Sequence, residues 1–163
     1  MNQVILNLLE TKLDVLSSIP NLNSGGCGIV AYAIVKWLYE QHNINAEIMY
    51  LYSDIDHYCK LENEQYLIGN RDEPSACSHA VVVINNRIYD TEYYIQGCDY
   101  DEFFYSSQYI DGCDHIFDYN SEFILSSLNS DSWSDWFERE NIYTIERILN
   151  IDLSEINVDV DVY

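Results

Sequence analysis

The sequence predicts an α+β domain in which a buried, cysteine-bearing helix packs on a small antiparallel sheet. Three observations lead there. Apolar residues recur at helical spacing from Gln3 to Ser17, and the run from Cys27 to Gln41 is apolar on nearly every side. A β-branched run from His79 to Ile84 is followed across Asn85-Asn86 by a second extended segment. With 163 residues, 48% of them hydrophobic, and only 6 Gly and 2 Pro, residues 1–163 read as a single domain able to bury a core.

In order, Val4, Ile5, Leu8, Leu9, Leu13 and Leu16 form the apolar stripe of a first amphipathic helix. Pro20 ends the connection after it, and residues 21–26 form the loop leading to Cys27. The second helix carries Ile29, Val30, Ala33, Ile34, Trp37 and Leu38, which calls for central burial; His42 at its end would serve the terminal carbonyls. Residues 46–52 read as a strand, 53–63 as a polar irregular segment, 65–68 as a short strand and 69–77 as a loop. Residues 93–119 mix Tyr and Phe with acids and read as a loop-rich packing layer or a groove lining. Short helices are expected at 121–128, 132–140 and 143–149, and 157–163 alternate like an edge strand.

Chemistry concentrates at Asn23-Ser24-Gly25-Gly26-Cys27-Gly28. A cysteine where a glycine-rich turn becomes a helix sits among amides with no intrahelical acceptor, at the positive end of the helix dipole. Both favour the thiolate. The amides of Cys27 and Gly28 could also hydrogen-bond an oxyanion forming beside the sulfur. A base is then needed, and the hairpin supplies His79. If Asn85 and Asn86 form a two-residue turn, Val83 pairs with Ile88, Val82 with Tyr89, Val81 with Asp90 and His79 with Glu92. Side chains alternate, so His79 shares a face with Asp90, on its diagonal, and Glu92, directly opposite. Asp90, with Glu92 as the alternative, would fix the tautomer and orientation of the imidazole. A three-residue loop would reverse the parity and turn Asp90 away.

A cysteine starting a buried helix, a histidine starting a strand and an acid on the next strand resemble the papain-like superfamily in its broad sense, which includes transglutaminase-like enzymes. The resemblance covers residues 20–92 and implies a papain-like (transglutaminase-like) core with Cys27 as nucleophile, His79 as general base and then acid, and Asp90 as the orienting residue. Relatives place an oxyanion-hole donor shortly before the cysteine; here Asn21 or Asn23 would have to serve, beside Gly28. The implied activity is hydrolysis or transfer of an amide or isopeptide bond in a protein or peptide substrate, without a cofactor.

Each residue also has a structural reading. Cys27 could be a small buried side chain closing a tight helix start, and His79 a strand-end histidine with its hydrogen bonds met. Cys77-Ser78-His79 and Cys113-Asp114-His115 could instead form a Cys₂His₂ metal site, which would take His79 from catalysis.

The chain carries 28 acidic against 7 basic residues, a formal charge of −21, and no Lys or Arg lies between Ile88 and Glu138. Such a surface repels phosphate backbones and anionic membranes, which argues against nucleic acid as a partner, and attracts Lys/Arg-rich segments or amines. It also fits a second class of function, an acidic binding or inhibitor protein, a nucleic-acid mimic, that occupies a basic partner. Solubility alone is the plain alternative. The N-terminal residues do not read as a secretory leader, and five cysteines, an odd number, read as reduced thiols, so a cytoplasmic location is expected.

Overall fold

The structure is a computed structural model; it describes residues 1–22, 26–52, 67–68, 79–91, 116–118, 120–129, 137 and 139–156. Helix α1 (Gln3–Leu16) begins where the Asn2 side chain accepts a hydrogen bond from the Val4 amide at 2.8 Å, and it buries Leu9, Leu13 and Leu16. Helix α2 (Cys27–His42) ends at Asn43, whose φ of 52° closes it in the left-handed conformation. Then come β1 (Glu47–Tyr52), β2 (Leu67–Ile68), β3 (His79–Ile84), β4 (Arg87–Tyr89), β5 (Ile116–Phe117), α3 (Glu122–Leu128) and α4 (Arg139–Leu149). The α+β prediction holds at this level: helices pack against an antiparallel sheet. No described helix is long and apolar enough to cross a membrane.

Strand β3 lies between β1 and β4, with Met49 paired to Val81 on one side and Ile88 to Val83 on the other. Strands β2 and β5 share the far edge of β1, one at each end: Leu51 pairs with Ile68, and Ile48 with Phe117. All six residues of β3 are buried, which explains why its sequence runs apolar without alternation after His79. One sheet face, including Ile48, Ala80, Val82, Ile84 and Tyr89, joins the core built around α2. Met49, Val81, Val83 and Ile88 point the other way and are buried as well.

Helix α2 is the middle of the molecule. It packs on β3 and β1, and α4 packs on α2 and α1. Its residues from Cys27 to Val35 are all buried, with Trp37 and Leu38 beyond them. Each such large apolar side chain contributes about 1.5–3 kcal/mol of gross burial energy. The position that breaks the pattern is Lys36. Its ammonium meets Glu155 Oε1 at 2.5 Å and donates to the Asp152 carbonyl at 2.6 Å, so a charge inside an apolar helix is matched by the C-terminal segment. Tyr32 donates to the same carboxylate, and Gln41 donates to the Leu149 and Asn150 carbonyls.

Several expectations change. The helix expected at 143–149 is present and begins earlier, at Arg139, because Ile142, Ile145 and Leu149 form one buried stripe, whereas most of the helix expected at 132–140 lies outside the described residues. Strand β5 lies within what the sequence presents as an aromatic loop layer. Residues 151–156, not assigned from sequence, bury Leu153 and Ile156. The expected edge strand at 157–163 lies outside the described residues.

Burial alone would raise the Glu155 carboxyl, but hydrogen bonds from Lys36 and Tyr32 reverse this and hold it below its ordinary value. A depressed carboxyl stabilises the fold above its ordinary value of 4.5 and loses that contribution as pH falls through the folded-state value. Lys36→Met is therefore expected to lower stability by about 2 kcal/mol at neutral pH. In urea titrations the gap to the unsubstituted chain should narrow in acid.

Candidate functional site

The turn into α2 brings glycine and a distant aromatic together. Gly26 is the N-cap residue with φ −87° and ψ −16°, a conformation open to any residue, so its glycine is not required by the backbone. It is required by space: a Cβ built there would come within 3.0 Å of Cζ of Phe137 and closer still to Cε2 and Cδ2. The Phe137 ring, 1% exposed, thus lies on the residue immediately before Cys27. As a glycine, the N-cap residue offers no side chain to cap the helix start, whose first amides have no intrahelical acceptor. Cys27 is the first helical residue, unpaired and 4% exposed, and Gly28 beside it is buried.

The second half of the site comes from the hairpin. Asn85 and Asn86 have φ of 48° and 63°, the two left-handed residues of a two-residue turn whose twist matches the flanking strands. The register follows: Ile84 pairs with Arg87, Val83 with Ile88 and Val82 with Tyr89. Continued by one residue, it brings Asp90 opposite Val81 and diagonal to His79, on the same face. The side chains meet there, with His79 Nε2 2.5 Å from Asp90 Oδ2, at 3% and 6% exposure. Asp90 Oδ1 accepts from the Thr91 amide at 2.8 Å, so both carboxylate oxygens are engaged and its orientation is fixed.

The thiol completes the group. Burial on its own would push the His79 ring down, but the Asp90 hydrogen bond, a hydrogen bond with the Cys27 side chain and the charges of both carry it well above 6.5. Cys27, His79 and Asp90, from three separate segments, therefore converge on one imidazole. A thiol, an imidazole and an orienting carboxylate can together generate a sulfur nucleophile and return a proton to a leaving group.

The remaining sequence candidates fare differently. Asn21 is exposed, with φ 58°, and among the described residues no hydrogen bond ties its side chain to Cys27 or His79. Asn23 and Glu92 lie outside the described residues, as do Cys77, Cys113 and His115 of the two Cys-x-His pairs. Among the described residues no group of three His, Cys, Asp or Glu side chains is arranged to hold a metal. His42 does not serve the carbonyls of its helix: its ring packs edge-on against Trp37, centroids 4.7 Å apart, and its buried Nε2 has no hydrogen-bond partner among the described residues. Sequence reasoning missed Phe137. Its one trace there is the glycine at position 26, whose space demand becomes visible only when the ring is in place.

Gly26→Ala should force the Phe137 ring or the helix start to move, lowering stability by about 1–3 kcal/mol. Pairing it with Phe137→Leu should recover part of that loss in a double-mutant cycle read by thermal unfolding. Compared with family models, curated proteins and solved structures, the chain matches none, so the convergence of Cys27, His79 and Asp90 is the observation on which a functional reading stands.

Proposed function

We propose that the chain is a thiol hydrolase or acyltransferase of the papain-like (transglutaminase-like) kind, acting on an amide or isopeptide bond. The observation that carries the reading is the His79 ring engaged at once by Cys27 and Asp90. In the proposed cycle, His79 takes the thiol proton and the Cys27 sulfur attacks the substrate carbonyl carbon, sending an electron pair to its oxygen. The first amides of α2, at Cys27 and Gly28, are the donors nearest in the chain to that oxyanion. Collapse breaks the C–N bond, and His79 gives its proton to the leaving amine. A thioester remains on Cys27. Water or a second amine, deprotonated by His79, attacks the thioester and restores the thiol. Asp90 keeps the ring oriented and balances the imidazolium charge.

The charge of −21 favours a peptide or amine substrate of basic character, drawn in by the field of the whole chain. The same charge supports a second reading, a non-catalytic acidic protein that blocks a basic partner, for which Cys27 would be only a packed core residue. The two differ in what the thiol does.

Iodoacetamide labelling followed by peptide mapping separates them. Under the catalytic reading Cys27 alkylates faster than Cys59 or Cys98 at neutral pH, and His79→Ala slows it by about tenfold or more. Labelling of Cys27 at or below the rate of the other thiols, unaffected by His79→Ala, contradicts it. Partner binding that survives Cys27→Ala and weakens steeply with salt would then support the second reading.

A further inference from the structure

We infer that the concave surface at the C-terminal half of α2 is a binding site for an uncharged, hydroxyl-rich ligand, a saccharide. The concavity, open to solvent on one side, has a volume of about 560 Å³, a size that takes one or a few sugar rings. It stands apart from the Cys27 chemistry, because Tyr39 on its wall follows Cys27 by twelve residues, roughly 18 Å along the helix axis.

The lining determines the ligand class. Asn45, Asn85, Asn86 and Asn120 come from the end of α2, the β3–β4 turn and the approach to α3, and they meet at this one surface. Each carboxamide both donates and accepts, as a sugar hydroxyl does. Glu47 and Asp118 add acceptors, and among the described residues none that lines the surface is basic, which disfavours phosphate and other anions. A metal ion is not favoured either, since among the described residues no three carboxylate, imidazole or thiol side chains come together. Tyr39 lines the same cavity and is 43% exposed, so its ring offers a face for the C–H side of a pyranose. Val35 and Val83 are buried beneath, giving the polar rim a fixed base on α2 and the central strand. The backbone is set as well, with Asn85 and Asn86 held in the tight turn by left-handed φ values.

The test is a titration of the full chain with chitotriose and with maltotriose, followed in ¹H–¹⁵N spectra, with spermidine as the cationic control. The inference predicts saturable shifts from at least one saccharide, concentrated at the amides of Asn45, Asn85, Asn86 and Asn120. Tyr39→Ala should weaken that binding by about tenfold, while Tyr39→Phe retains it. Shifts from spermidine alone would overturn it and mark the surface as merely acidic. No shift from either saccharide, shifts centred elsewhere, or a Tyr39→Ala variant that binds as before would overturn it equally.

Discussion

The imidazole of His79 is buried, and burying it depends on polar partners, Asp90 and Cys27 among them. A histidine at 3% exposure loses most of its hydration, and without partners that loss would outweigh what packing returns. Asp90 is one such partner, at 2.5 Å, and Cys27 is another. The rest of the architecture follows from keeping the three together. Asp90 reaches the ring only because a two-residue turn sets the parity of the hairpin, and one more residue in the loop would point it to the opposite face. The thiol comes from the first residue of α2, a helix that packs on β3, the strand that His79 begins. Phe137 against Gly26 then fixes the entry into that helix.

Burial cuts two ways at this site. Cys27 at 4% exposure is as hidden as an ordinary core cysteine, yet an ordinary core cysteine has apolar neighbours and not an imidazole that is itself paired to a carboxylate. A carboxylate and an imidazole at the end of a sheet strengthen one another where water is scarce. The chain also holds few positive charges to spare. Of 7 basic residues, Lys12, Lys36 and Arg139 donate to backbone carbonyls of residues 148–156, tying the C-terminal segment to the helices. Those cations hold the fold together, and the excess of acid is left to shape the outer field.

The sequence makes some of this legible and hides the rest for physical reasons. Local patterns carry through. The apolar stripe of α1, the all-round apolar character of α2 and the Asn85-Asn86 turn each depend on residues within a few positions, and each appears in the structure. The hairpin register was legible enough to pair Asp90 with His79 and to leave Glu92 as an alternative. Features set by distant contact were not. Residues 151–156 look like any polar tail until Leu153 and Ile156 find the core, and α4 begins earlier than expected because its stripe meets α1 and α2. His42 shows the same limit: its position suggests a helix-end partner, whereas its ring packs on Trp37.

The central claim is that Cys27 and Asp90 both act on the His79 ring, and a ¹⁵N-resolved titration of that ring reads it directly. A raised histidine remains protonated as pH rises past its ordinary value of 6.5 and contributes stability below that point, which it loses on deprotonation at the higher folded-state value. The account predicts a titration midpoint for His79 above 6.5 that drops in both Cys27→Ala and Asp90→Asn. A midpoint at or below the ordinary value, unmoved by either substitution, would contradict it.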